Sequence, residues 1–305
     1  MPQTLGGIGA GGLEQSRNWR SDSIRFGQGL HGIERAEIYL STCAFEPHRH
    51  DTYAIGITTS GVQTFHYRGS RRVCLPGQLH VLHPDEAHDG AAGTDGGFGY
   101  RILYIPPELI RDALAGRALP FVADPIQQLV PAARLIASLL ADIDEPINEL
   151  SSAEIAVAVA DGLVSLSGRP DRRKAAIDTR AVTLARDYLV AHAREQTSAS
   201  TLEKIAGTDR FTIARHFRWA YGTSPDRYRT LRRLALARAA IESGQSLARA
   251  ASEAGFADQS HMTRQFKRTY GLTPGRWMAL TAVVAGAGAR APEPVAAQER
   301  IPGAG

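Results

Sequence analysis

The sequence predicts an α+β chain of two domains: a small N-terminal β-barrel followed by helices, then an all-α domain built on a duplicated two-helix unit. Three observations carry this. Between Gly32 and Tyr104, short β-branched and aromatic runs alternate with Gly, Pro and Asp punctuation. From Thr179 onward the period is helical. The helical half also repeats itself. At 305 residues the chain is long enough for two cores.

Residues 1–22 are Gly-rich and aperiodic and are expected to be a flexible lead. No basic segment precedes an apolar run there, so a secretory signal is not expected. Strands are expected at Ala36–Leu40, Tyr53–Thr58, Gln63–Arg68, Gln78–Leu82 and Phe98–Tyr104, with hairpin turns at Ser60-Gly61 and Arg68-Gly69-Ser70. This places the barrel at 23–106. After Pro106-Pro107 the pattern turns helical. Pro131–Asp144 puts Leu135, Leu139 and Leu140 on one face, and Ser151–Ser167 opens with a Ser-x-x-Glu cap, Ser151 and Glu154. The segment 107–168 either dimerises or covers its own barrel. Residues 169–178 carry Gly, Pro and a charge run and read as a linker. Residues 179–281 form the helical domain, and the Ala/Gly/Pro-rich 282–305 is expected to be a disordered tail.

Composition excludes several classes. Apolar residues at 43% and charged residues at 22% are an ordinary globular mix. The longest uncharged apolar stretch, Trp277–Ala289, has 13 residues, short of the roughly 18 that a spanning helix needs. Two cysteines make no disulfide framework and suit a reducing cytoplasm. The charge is asymmetric: residues 1–170 hold 13 basic and 19 acidic side chains, residues 171–281 hold 20 and 10. A basic half points to a polyanion, either nucleic acid or an anionic membrane surface. A basic apolar-faced helix free of turn signals, which the membrane reading needs, is absent from the sequence.

The repeat decides. Ala206-Gly207, Ile213, Arg215, Phe217, Tyr221-Gly222, Pro225 and Arg227 recur as Ala254-Gly255, Met262, Arg264, Phe266, Tyr270-Gly271, Pro274 and Arg276. The offset is 48 before the turn and 49 after it. Gly after a short helix permits a sharp turn. Ile213, Phe217 and Ala220, like Met262, Phe266 and Thr269, give each second helix one narrow apolar stripe. Ser224-Pro225 and Thr273-Pro274 are a hydroxyl N-cap followed by Pro at the first helical position. Each unit is a helix-turn-helix.

The opposite face of each second helix suits base edges. It carries Arg210, Phe211, Thr212, Arg215 and His216 in the first unit. In the second it carries Gln259, Ser260, His261, Thr263, Arg264, Lys267 and Arg268. Arg forks to guanine, Gln to adenine, and Thr or Phe meets a thymine methyl. The rod between the units, Pro225–Ser243, spans roughly 28 Å if helical and can hold two helices near one DNA turn apart. Its Arg227, Arg229, Arg232 and Arg233, with Lys267 and Arg268, are candidate phosphate contacts.

Residues 179–280 resemble the AraC/XylS family of transcription regulators, in the two helix-turn-helix units, Gly-Phe before the second recognition helix and Phe-x-x-x-Tyr-Gly-x-x-Pro closing each. The resemblance implies recognition helices in successive major grooves of double-stranded DNA, RNA polymerase as a partner and a homodimer. By matching position it implies base readers at Arg210, Phe211, Thr212, Arg215, Gln259, Ser260, His261 and Arg264. Glu203 departs from the family's usual small residue.

The N-terminal half resembles the cupin-like effector-binding domain common in that family, through Pro47-His48-Arg49-His50-Asp51, Tyr53-Ala54-Ile55-Gly56, Leu75-Pro76-Gly77-Gln78 and His83-Pro84-Asp85-Glu86 with His88. His48, His50, Tyr53, His83 and His88 are candidate effector contacts, imidazole suiting a polar or anionic molecule. His48, His50 and His88 could also supply three metal ligands. The acid that metal-binding cupins place four or five residues beyond the His-x-His pair is missing, since Ala54 and Ile55 stand there, so no metal or other cofactor is expected. The reading is a cytoplasmic regulator that senses a small effector and is not an enzyme. The alternative is a metal-dependent cupin enzyme with an accessory nucleic-acid module.

Overall fold

The computed structural model describes residues 21–168 and 178–288. The expected linker and lead fall almost wholly outside them. The first half runs β1 (Ser23–Phe26), β2 (Glu34–Leu40), β3 (Phe45–His48), β4 (Tyr53–Gly61), β5 (Gln63–Tyr67), β6 (Ser70–Cys74), β7 (Leu79–Leu82), β8 (His88–Ala92), β9 (Phe98–Ile105), α1 (Pro107–Ala113), β10 (Ile126–Gln127), α2 (Pro131–Ser138) and α3 (Glu149–Leu166). The second runs α4 (Thr179–Ala191), α5 (Ala199–Ala206), α6 (Arg210–Tyr221), α7 (Pro225–Glu242), α8 (Leu247–Glu253), α9 (Gln259–Tyr270) and α10 (Pro274–Gly288).

The strands pair antiparallel in two sheets, ordered β1-β2-β9-β4-β7-β10 and β3-β8-β5-β6. The expected barrel is therefore a pair of sheets that does not close into one ladder. Side chains of both sheets meet in a shared core, Phe65 and Tyr67 with Ile38, Tyr100 and Ile102. Of the two expected hairpin turns, one is present: Arg68 and Gly69 both take positive φ, 50° and 75°, between β5 and β6, the pair of left-handed residues that a tight hairpin requires. Ser60-Gly61 is not a hairpin turn, because both residues lie within β4, opposite Gly99 and Phe98 of β9, and β4 and β5 belong to different sheets.

Period-two alternation divides the large sheet. Tyr53, Ile55 and Ile57 of β4 pack with Leu79 and Val81 of β7 and Leu103 and Ile105 of β9 under α1–α3. Ala54, Leu82, Tyr100 and Ile102 face the other way. Gly56 lies among them because the His80 ring occupies the space a Cβ would need, 2.4 Å away.

Three element boundaries depart from expectation. α3 starts two residues early on Asn148, whose side chain accepts from the Ser151 amide at 2.9 Å while Ser151 Oγ accepts from the Asn148 amide at 2.8 Å. Asn148, rather than Ser151, is thus the cap. α2 stops at Ser138, because carbonyls of the next residues are taken by side chains from the sheet, Arg35 on Leu139 and Asp142 and Arg101 on Leu140 and Ala141. α10 continues to Gly288, seven residues past the expected end of the helical domain.

The duplicated unit folds as the repeat predicts. The apolar stripes of α6 and α9 are buried, from Ile213 at 3% exposed to Phe217 and Phe266 at 0%. Gly222 and Gly271 cap the two helices at φ 70°, the left-handed position that favours Gly. Ser224 caps α7 by accepting from the Arg227 amide.

Candidate functional site

The helical domain docks on the sheets through the C-terminal ends of both recognition helices. At α9, the amides of Glu46 and Arg49 donate to the carbonyls of Gly271 and Arg268, at 3.1 and 3.0 Å. At α6, Gly222 packs against Pro84, so closely that a Cβ would sit 2.6 Å from the proline Cβ. Equivalent positions of the two repeats thus meet the same partner domain. Among the described residues five ion pairs cross this interface: Arg218–Asp85, Arg232–Asp51, Arg238–Glu34, Lys267–Glu46 and Arg276–Asp22. In every one the cation comes from the helical domain and the acid from the sheets.

Docking encloses a cavity of about 190 Å³. Its walls from the sheets are largely apolar, including Ile38, Phe65, Leu82, Tyr100 and Ile102, and its far wall is Leu231, Arg238, Tyr270 and Trp277 of α7, α9 and α10. Arg238 forks onto Glu34, one arm at 3.0 Å, inside a cage of Phe26, Tyr270 and Trp277 with ring centroids 5.8–5.9 Å away. Cation–π attraction and the ion pair hold it there. Arg232 binds Asp51 at 2.7 Å and stacks on Tyr228 at 4.9 Å.

His48, His50 and His88 line the cavity and come together, their ligand-capable nitrogens within 4.8 Å of one another. Burial, then the neighbouring imidazoles, hold His48 well below the usual histidine range and push His50 down to about 3. Burial pushes His88 down to about 4. All three are neutral at pH 7.

Tyr53 and His83 need correction. Neither lines the cavity. Tyr53 shares its face with Ile55 and Ile57, and its hydroxyl donates to the Pro120 carbonyl at 2.9 Å. His83 Nε2 accepts from the Val122 amide at 3.0 Å, and its Nδ1 lies 3.2 Å from the Tyr67 hydroxyl, which in turn donates to Glu86. Both therefore clamp the 120–122 segment. Sequence reading missed His80, Tyr100, Tyr104, Arg238, Tyr270 and Trp277 in the cavity. Alternation gives the signal for the first three: His80 precedes Leu82 by two, and Tyr100 and Tyr104 flank Ile102 at the same step. No sequence signal marks the other three, which arrive by docking.

The outward ends of the recognition helices carry the candidate base readers. Arg210, Phe211 and Arg215 are exposed on α6, Phe211 at 76%, and Thr212 is half-buried. Gln259, Ser260 and Arg264 are exposed on α9, with His261 half-buried against Phe256. Glu203 holds Arg210 at 2.8 Å, so this family departure orients a candidate reader.

The candidate phosphate contacts divide. Arg268 is exposed, and Lys267 pairs with Glu46 at 2.7 Å. Arg229 and Arg233 are buried, and their guanidinium groups donate to the carbonyls of Ala193, Arg194 and Glu195. Arg227 donates to the Arg49 carbonyl and Thr269, and Arg232 pairs with Asp51. These four arginines of the rod are committed to structure and docking, because its arginine-bearing sides face the connection between α4 and α5, the sheet domain and α9.

A two-sheet domain and paired helix-turn-helix units, with a cavity walled by both, define a DNA-binding transcription regulator with a ligand-binding half. Profiles of the AraC-like ligand binding domain and of a helix-turn-helix domain match residues 30–159 and 202–279. The chain is an AraC-type transcription regulator. YbfI of Bacillus subtilis strain 168, an uncharacterized HTH-type transcriptional regulator, is 25% identical over 229 residues, covering 72% of this chain and 81% of that protein. An apo single-substitution variant of ToxT from Vibrio cholerae strain SCE256 shares the fold at a TM-score of 0.60 and 11% identity, over 83% of this chain and 99% of that one. ToxT of the same strain with bound unsaturated fatty acid gives 0.58 and 11%, over 86% and 95%. Among the described residues no helix is long and apolar enough to cross a membrane.

Proposed function

We propose that a small effector enters the cavity between the sheets and the helical domain, shifts their docking and so changes the affinity for operator DNA. One observation carries the reading: a single cavity is walled by both domains, so an occupant touches Arg238 and Trp277 as well as Phe65 and Tyr100. Such a ligand has differential contacts with the docked and undocked states, which coupling requires. Apolar walls suit a largely apolar molecule, and an acidic group on it would reach Arg238 or Arg232 by displacing Glu34 or Asp51, which would itself loosen the docking. The ToxT neighbours crystallised with an unsaturated fatty acid and with a naphthyl-butenoic acid bind ligands of that class.

Arg210, Phe211, Thr212 and Arg215, with Gln259, Ser260, His261 and Arg264, read bases in this proposal. Arg268 and Lys267 contact phosphates. The chain works in the cytoplasm as a homodimer that engages RNA polymerase and catalyses no reaction. Leu150, Val157 and Val164 support dimerisation: exposed at 71%, 48% and 37%, they recur every seven residues along one face of α3.

Selection of DNA fragments from a random pool by purified protein, with and without long-chain carboxylic acids, tests the reading. The expected product is a motif with two half-sites about 10 base pairs apart, its enrichment altered by the acid. Arg264→Ala is expected to cost about 1–3 kcal/mol on that motif and to relax preference at one base pair. Selection without any sequence preference in either condition would overturn it.

A further inference from the structure

The three imidazoles on the cavity wall are held in one protonation state by their own backbone neighbours. His48 Nδ1 lies 2.8 Å from the Glu46 carbonyl, His50 Nδ1 3.0 Å from the Thr52 carbonyl and His88 Nδ1 3.0 Å from the Glu86 carbonyl. A carbonyl only accepts, so each Nδ1 carries the proton and donates. In a neutral ring the lone pair then sits on Nε2. Among the described residues no hydrogen-bond donor reaches any of these three Nε2 atoms.

Each ring offers one ligand nitrogen within 4.8 Å of the other two, at a site where His88 is buried and His48 and His50 are half-buried, and lone pairs that converge there call for a cation or a hydrogen-bond donor between them. Hydrogen bonds from the far ring nitrogen to backbone carbonyls are also the arrangement that orients metal-bound histidines. We propose that the Nε2 atoms of His48, His50 and His88 bind one divalent transition-metal ion of the zinc, cobalt and nickel class.

The donor set chooses the class. Imidazole suits zinc, cobalt and nickel, whereas magnesium and calcium require oxygen ligands. The nearby carboxylates are engaged elsewhere: Glu86 with Tyr67 and Arg68, Asp89 with His66, and Asp51 with Arg232. Nitrogens about 2.0–2.1 Å from a tetrahedral ion are about 3.4 Å apart, so the widest pair has at most about 1.4 Å to close. Small rotations of rings whose centroids are 4.3–6.1 Å apart supply this. The acid missing at positions 54 and 55 leaves a fourth position, which opens on the cavity. Metal binding does not depend on the effector reading above.

The test uses untagged full-length protein treated with chelator and dialysed. Cobalt(II) is titrated and its visible absorption followed, and zinc is added in competition. The expected result is one equivalent per chain, with the intense bands of four-coordinate cobalt that zinc abolishes. His88→Ala and His50→Ala are expected to weaken binding by more than about a hundredfold, beyond what loss of an outer partner costs. His66→Ala, on an exposed histidine outside the cluster, is expected to leave binding unchanged. His48→Ala, at a half-buried position, serves if the other two variants fail to fold by circular dichroism. Absence of stoichiometric binding, or equal binding by folded His48→Ala, would overturn the proposal and leave the trio a water-filled polar corner.

Discussion

At the scale of the single residue, histidine burial sets the acid limit of the N-terminal domain. His83 is pushed down to about 4 by burial, with the Arg68 guanidinium adding to the shift and Glu86 opposing it. Its ordinary value in the unfolded chain is about 6.5. Protons therefore bind the unfolded chain first as pH falls. The stability due to the neutral ring is complete above about pH 6.5 and drains away down to about pH 4, by about 3 kcal/mol for this group. Urea unfolding followed across that window is expected to show a falling midpoint, and His83→Gln is expected to remove about one proton from the slope. An unchanged slope would mean that His83 is already charged in the folded protein, and that the Val122 amide does not bond to its Nε2. That role was not legible in the sequence. His83 stands in a motif with His88, yet the first lies just past the end of β7 and clamps a loop, while the second opens β8 and faces the cavity.

The elements show which parts of a sequence speak for themselves. The helix-turn-helix units were legible because a two-helix unit closes over contacts within a few residues: Asp209 and Asp258 cap α6 and α9, and Gly222 and Gly271 end them. The strands β3, β6 and β8 were not, because Phe-Glu-Pro-His, Ser-Arg-Arg-Val-Cys and His-Asp-Gly-Ala-Ala carry no apolar alternation and owe their conformation to pairing. The docking of the repeat was invisible for the same reason. Gly207 and Gly222 read alike in sequence and have nearly the same φ, 68° and 70°, but a Cβ meets nothing at Gly207 and Pro84 at Gly222. Gly207→Ala is expected to cost only the left-handed backbone penalty of about 1–2 kcal/mol. Gly222→Ala is expected to cost more, and to speed hydrogen exchange at the Asp85 amide, which donates to the His50 backbone carbonyl at 2.7 Å. Equal costs, with Asp85 equally protected, would show that α6 does not rest on this loop.

For the whole molecule, the charge asymmetry has two destinations. The sequence assigns the basic half to a polyanion, yet the acidic half takes part of that charge in the docked protein. Lys267 lies on the recognition helix α9, on the face that carries the candidate readers, and Glu46 of β3 holds it at 2.7 Å. Both side chains are substantially exposed, so the pair itself adds little stability. Its effect falls on DNA instead, since a cation neutralised by Glu46 releases fewer counterions when a duplex arrives. Glu46→Gln keeps the shape of the side chain and removes its charge. Binding of a random duplex, followed by anisotropy over a range of salt concentrations, is expected to become tighter at low salt. The slope of log affinity against log salt should steepen by up to about one unit, while the urea midpoint stays within about 0.5 kcal/mol of wild type. A slope that does not change would mean that Lys267 stays away from the phosphates with or without its acid. The acidic domain would then hold the helices in place without competing for their charge.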